Sequence, residues 1–415
     1  MSAEAVSIGA LLAMFLIGTV LPINLGILAF VGTFVVGTAS LGLSQEEIFE
    51  GFPVDLFVTI VGVTYLFAIA RRNGTVDLMV AAGVRLVRGK VALIPWVLFL
   101  VAAVLTAFGT FTPAAVAILA PIAMNFAFRY GLNPLMCGML VISGAHAGAF
   151  SPIAVSGALV LGLTDGTDVS VAPMTLFAAS FAINLALSAL TYALLRRRGS
   201  HDTAEAPEEQ SAEEPAGRIT WRQGLTLLAL VALVVGALGF QWEIGVIALG
   251  AGAVLALLDM KQQEKAVDGI SWHTLLLVSG MMTYVAMLEK AGIIETVSKH
   301  AATIGAPVLV ALLLCFTVAV TSAFASSTAI LTAIIPIALP LLLSSHLSAA
   351  GLIAALAVST TIVDVSPFST NGALVLSNAR GVDRQRFYRQ VIGYTCAIVG
   401  VGPVVAWGAL VLPWS

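Results

Sequence analysis

SPIAVSGALVL spans residues 151–161, and SPFSTNGALVL spans residues 366–376, 215 positions further on. Seven of the eleven positions are identical. At the same offset Pro121, Ile122 and Ala123 match Pro336, Ile337 and Ala338, and Thr106 matches Thr321. The chain therefore carries one segment twice. A duplicated apolar segment broken by Pro, Gly and hydroxyl residues is the pattern of secondary transporters, in which the breaks of two repeats build one binding site.

Composition sets the solvent. Of 415 residues, 59% are hydrophobic and 10% are charged, against about 25% charged in a soluble domain. Apolar runs of about 20 residues recur along the whole length, which predicts an all-α polytopic membrane protein. The start, MSAEAVSIG, has no basic stretch, so no cleaved signal peptide is expected. Cys137, Cys315 and Cys396 stand singly in apolar stretches. They read as small core residues, without metal spacing or a disulfide framework.

Full spans are predicted near 5–22, 24–43, 53–70, 134–164, 173–195, 222–239, 242–258, 271–288, 348–378 and 390–412. The spans at 134–164 and 348–378 are too long for one straight helix and contain the Ser-Pro breaks, so each is read as two half-helices with an unwound middle. Segments 92–128 and 305–345 are long enough to enter and leave the membrane, but short for two crossings. Thr110, Thr112 and Pro113 sit at the centre of the first, and Ser326, Ser327 and Thr328 at the centre of the second. Both read as re-entrant hairpins, whose irregular tips must be buried in protein or line a cavity.

Basic residues orient this arrangement. With the N-terminus outside and each hairpin returning to its own side, 17 of the 19 Lys and Arg residues are cytoplasmic, and only Lys290 and Lys299 face outward. If either hairpin were a single crossing, this asymmetry would be lost. The first repeat then starts outside and the second inside, so the repeats are inverted, each with five transmembrane helices and one re-entrant hairpin. The expected divisions are scaffold helices at 1–90, a transport part at 91–195, an acidic cytoplasmic linker at 196–220, a second scaffold at 221–304 and a second transport part at 305–415. The linker is Pro-bearing and poor in large apolar residues, which predicts a flexible connection. Segments 73–90 and 290–304 read as amphipathic arms on opposite faces.

No Lys or Arg lies inside a core segment. The one deep carboxylate is Asp364, just before the second Ser-Pro break; the one deep histidine is His146, just before the first. Ionisable groups at membrane depth cost about 2.5–3.5 kcal/mol on insertion scales, so the default reading is functional. Asp364 is assigned to ion or proton coupling, against a structural cap on half-helix backbone. For His146, a core histidine bonded to a carbonyl competes evenly with a substrate or proton contact. Hydroxyls and amides gather at the breaks and tips. Back-bonding to the preceding turn explains single cases such as Ser322 or Ser369, but not clusters at two repeat-related breaks. Half-helix N-termini suit an anion, and free carbonyl and hydroxyl oxygens suit Na⁺. The expected substrate ligands are Thr112, Ser151, Ser156, Gly157, Ser327, Thr328, Ser366, Thr370, Asn371 and Gly372. The expected cation ligands are Thr106, Thr110, Thr112, Ala149, Ser322, Ser327, Asp364 and Ser366.

At these residues the chain resembles the ion-transporter superfamily that includes the divalent anion:sodium symporters. AFASSTAILTAIIPIAL (323–339) is similar to that group's Ser-Asn-Thr hairpin-tip motif, with Ser327 in place of Asn; Phe111-Thr112-Pro113 departs further. GFPVDLFVTIVGVTYLFAIARRNGTVDL (51–78), RLVRGK (85–90) and SPIAVSG (151–157) resemble the MatC-type dicarboxylate carriers, associated with malonate uptake. The resemblance implies a homodimeric elevator transporter in the cell membrane. Its scaffold would hold the dimer, and a mobile domain of hairpins and broken helices would carry the substrate. Relatives with eleven spans have an extra N-terminal helix that is not found here.

The leading expectation is import of malonate or a related small dicarboxylate, with Na⁺ or H⁺ as coupling ion. No other cofactor and no nucleic-acid partner are expected. The alternative is a cation/proton antiporter using Asp364. A gated channel or a membrane-embedded enzyme fits less well, because no nucleophile or metal constellation is visible.

Overall fold

The computed structural model describes residues 3–21, 23–85, 90–164, 167, 169, 171–196, 219–259, 263–293, 306–324, 326–343 and 345–414. Most of the linker 196–220 and most of the arm at 290–304 lie outside these residues. The first half is α1 (Ala3–Val20), α2 (Leu25–Ser40), α3 (Gln45–Phe49), α4 (Val54–Arg72), α5 (Thr75–Arg85), α6 (Ile94–Ala107), α7 (Thr112–Tyr130), α8 (Pro134–Ala149), α9 (Val155–Thr164) and α10 (Pro173–Leu195). The second is α11 (Trp221–Val234), α12 (Ile244–Leu258), α13 (Gln263–Val267), α14 (Trp272–Lys290), α15 (Pro307–Ser322), α16 (Ser327–Leu343), α17 (Ala349–Thr361), α18 (Thr370–Asn378) and α19 (Arg384–Leu410). No strand occurs among the described residues.

The long helices recur in order. α6 to α10 correspond to α15 to α19, and α1, α2 and α4 to α11, α12 and α14. Their start signals recur as well. Asn133 Oδ1 accepts from Met136 N–H at 3.2 Å to cap α8, and Ser348 Oγ accepts from Gly351 N–H at 3.2 Å to cap α17. Such caps stabilise a helix by about 1 kcal/mol. α7 carries Pro121 internally, and α16 carries Pro336 and Pro340.

Packing exchanges the halves. α2 lies against α14, and its counterpart α12 lies against α4. Glycines let both pairs approach closely: a Cβ on Gly26 would collide with backbone at Leu276, and one on Gly280 with backbone at Gly26. Likewise, a Cβ on Gly62 would meet the Gly245 carbonyl, and one on Gly245 would meet backbone at Thr59. Small residues at such crossings are how helices associate without a hydrophobic driving force. The same exchange holds deeper in, where α7 packs on α18 and α16 packs on α9. Each hairpin therefore leans on the half-helix that follows the other half's break.

Among the described residues, four helices, α4, α7, α10 and α19, are long and apolar enough to cross a membrane. The arms of the first hairpin are unequal. α6 has 14 residues, or about 21 Å at 1.5 Å per residue, short of the ~30 Å hydrocarbon core. α7 has 19 residues. α19 starts at Arg384, ahead of the expected 390, because Asp383 Oδ1 caps it by accepting from Arg386 N–H at 2.7 Å.

Candidate functional site

Both Ser-Pro breaks are folded by the same backbone bonds. Ser151 N–H donates to the Gly148 carbonyl at 3.0 Å, and Ser366 N–H to the Val363 carbonyl at 3.1 Å. Ala154 N–H donates to Ser151 at 2.9 Å, and Ser369 N–H to Ser366 at 3.0 Å. The new half-helix then turns back on its own break. A Cβ on Gly157 would collide with the Ser151 carbonyl oxygen, and one on Gly372 with the Ser366 carbonyl oxygen. Only glycine permits that approach.

The two breaks differ in how they end. Ser369 Oγ donates to the Asp364 carbonyl at 2.6 Å, with the Ser366 carbonyl also near at 2.8 Å, and accepts from Gly372 N–H at 3.2 Å. That bond occupies a donor expected for substrate; at Gly372 the glycine supplies room. Ala154 stands at the equivalent place in the first break. It has no oxygen, so no side chain caps α9 from that position.

The carboxylate of Asp364 is the centre of a cluster drawn from both halves. Its Oδ2 accepts from Asn371 Nδ2 at 3.2 Å and lies 3.5 Å from His146 Nε2. Asn371 Nδ2 is also 3.3 Å from His146 Nε2. One amide can give one N–H to each, with His146 accepting at Nε2. Ser327 and Ser369 interact with the same carboxyl, and Ser322 Oγ donates to Ser327 Oγ at 3.2 Å. His146 is 3% exposed, Asn371 0%, and the Asp364 side chain 13%. His146 Nδ1 and Asn371 Oδ1 are buried without a partner. Unmatched buried polar atoms are costly, about 1–3 kcal/mol each, so the cluster keeps open capacity for a ligand.

The remaining expected residues divide. Thr112, Ser151, Ser366 and Thr328 are buried, whereas Ser156 is half-buried and Thr370 is exposed. Thr106 Oγ1 donates to its own helix, to the Ala102 and Ala103 carbonyls at 3.0 and 3.2 Å. Thr321 does the same at the other tip. Thr110 Oγ1 is buried without a partner. Ala149 ends α8 at the edge of the first break. Ser180 and Asn184 on α10 were not among the expected residues. Ser180 Oγ donates to the His146 carbonyl at 3.0 Å, and Asn184 Nδ2 to the Ser180 carbonyl at 2.9 Å. Their signal was a four-residue spacing, continued by Ser188, all fully buried.

This arrangement of broken helices and hairpins around a polar centre defines a secondary transporter. Residues 1–149 match the family described as the N-terminus of the dicarboxylate carrier protein MatC, and residues 237–414 match the citrate transporter family. The chain is thus similar to dicarboxylate carriers over its first part and to citrate transporters over its last, and both likenesses indicate a secondary membrane transporter. Among solved structures, it is similar to the YdaH transporter of Alcanivorax borkumensis, with a TM-score of 0.66 and 18% identity over 89% of this chain and 88% of that one. That likeness shows the fold. No curated protein sequence matches significantly.

Proposed function

We propose that this protein imports malonate or a related small dicarboxylate together with Na⁺ or H⁺. The observation that carries the reading is the Asp364–Asn371–His146 cluster, formed where the two breaks meet without any Lys or Arg. The breaks divide the work. The side-chain-uncapped start of α9, with Ser151, Ser156 and Gly157, offers N–H groups and a positive dipole end to a carboxylate. The second break, with Asp364, Ser322, Ser327 and backbone carbonyls, offers oxygens to a cation. Thr112 and Thr328, from the two hairpins, close over the substrate between them.

Magnitudes favour coupling. Moving one charge through 100 mV costs about 2.3 kcal/mol, so a dianion moving toward a negative interior costs about 4.6 kcal/mol. Two cations cancel that. The exchanged packing of α2 on α14 and α12 on α4 supports inverted repeats. They would place linker 196–220 in the cytoplasm and let the hairpins and broken helices move as an elevator against a dimeric scaffold. An antiporter is the second reading, favoured by His146 standing 3.5 Å from Asp364.

Ligand stabilisation of the purified protein separates them. A ligand bound only to the folded state stabilises it by about 2.7 kcal/mol at one hundred times its Kd. Malonate with Na⁺, or malonate at low pH, is expected to raise Tm where malonate alone does little. Ser327→Ala and Thr328→Ala are expected to cut that gain at least by half. A rise with cation alone, unaffected by malonate, would favour the antiporter.

A further inference from the structure

Between α4 and the first hairpin tip lies a cavity of about 350 Å³, within the range of small-molecule pockets, ~300–1,000 Å³. Three cations line it: Arg71 and Arg72 at the end of α4, and Lys265 on α13. None has an ion-pair partner among the described residues, whereas Arg222 is paired with Asp259 at 2.8 Å and Lys290 with Glu50 at 2.9 Å. Arg72 Nη1 donates to the Lys265 carbonyl at 3.3 Å, which ties the end of α4 to α13. No acidic residue lines the cavity among the described residues. Its inner wall is the hairpin tip, Gly109 to Phe111, with the unpartnered hydroxyl of Thr110. Thr112, an expected substrate ligand, follows at once.

We propose that this cavity is a second anion site, a cationic vestibule that holds the dicarboxylate beside the first hairpin tip before or after passage through the central site. The proposal rests on the transport reading above. The chemistry is complementary. A dianion with two carboxylates meets two guanidinium forks and an ammonium, the side chains best suited to planar oxyanions. The central site holds no Lys or Arg, whose fixed positive charge would travel with the substrate at every step. In the vestibule, the charges stay at the membrane surface. They raise the local concentration of anion at the tip, an effect that weakens with ionic strength. Basic residues also orient membrane proteins. That role accounts for their side, but not for the convergence on one cavity, which ends at a hairpin tip, of three cations that have no ion-pair partner among the described residues.

The test is malonate transport by proteoliposomes of known orientation. The triple variant R71Q/R72Q/K265Q is compared with wild type and with R384Q/R386Q/R389Q, which removes three exposed basic charges outside the cavity. At low ionic strength the triple variant is expected to raise KM from the cavity side about tenfold. KM from the opposite side and the maximal rate stay unchanged. Added choline chloride at constant Na⁺ shrinks the difference. K265Q alone shows part of the shift and serves if the triple variant fails to insert. An equal shift from both sides, an equal shift in the control, or no shift overturns the vestibule and leaves the transport reading standing. Wild-type protein that moves no malonate from either side overturns both.

Discussion

Gly157→Val and Gly372→Val each abolish transport, with a loss of at least about a hundredfold, while membrane levels stay near normal. The reason lies in the two breaks. Any Cβ at these positions collides with the carbonyl oxygen of Ser151 or Ser366, and that oxygen belongs to backbone that cannot rotate away as a side chain does. Relief requires α9 or α18 to swing off its break. The swing moves Ser156 or Asn371, one residue upstream, out of the site. Overpacking costs of about 1–3 kcal/mol fall within what a large membrane fold tolerates, so expression survives and geometry does not. Gly408→Val is the control, since nothing lies within 4 Å of its added Cβ. Uptake assays on matched protein levels check this. Normal transport in both variants would show that these glycines serve packing alone.

Asp364→Asn keeps the size of the side chain and removes its charge. The cation or pH dependence of uptake is expected to shift about tenfold or more, while malonate affinity at saturating cation stays within about threefold. A buried charge persists only when it is paired, protonated or bound to a cation. The neighbours of Asp364 are an amide, hydroxyls and His146, so a cation or a proton must complete the set. Cation titrations of uptake at several pH values read this directly. Lost malonate affinity with unchanged cation and pH dependence would move Asp364 to the substrate contacts. Wild-type behaviour in all three would reduce it to a cap on the second break.

The sequence made the architecture legible because a duplication leaves identical signals at a fixed offset. Pro, Gly and Ser mark broken helices whatever surrounds them, so α8–α9 and α17–α18 were readable as pairs; Thr112 and Ser327, read as hairpin tips, each begin a helix. Asp364 stood out because a carboxylate is rare at that depth. Its partners did not. His146 and Asn371 are 225 positions apart and meet only because α7 packs on α18 and α8 ends beside them, a long-range pairing that no local pattern encodes. The hydroxyls misled for a related reason. Thr106 looks like a ligand by type, yet its hydroxyl goes to backbone carbonyls of its own helix, as the hydroxyl of Ser369, read as back-bonding, goes to carbonyls of its own break. The stripe of Ser180, Asn184 and Ser188 was hidden in an apolar helix, because buried polar residues facing a neighbour look the same in sequence as those facing their own backbone.

Radiolabelled malonate uptake into proteoliposomes, with Na⁺ and pH gradients imposed separately, tests the central claim most directly. Accumulation above equilibrium is expected, driven inward by one of the two gradients, abolished by its collapse and enhanced by a negative interior if more than two cations accompany the dianion. Cation or proton exchange that proceeds at the same rate with and without malonate, and no malonate uptake under either gradient, would contradict it.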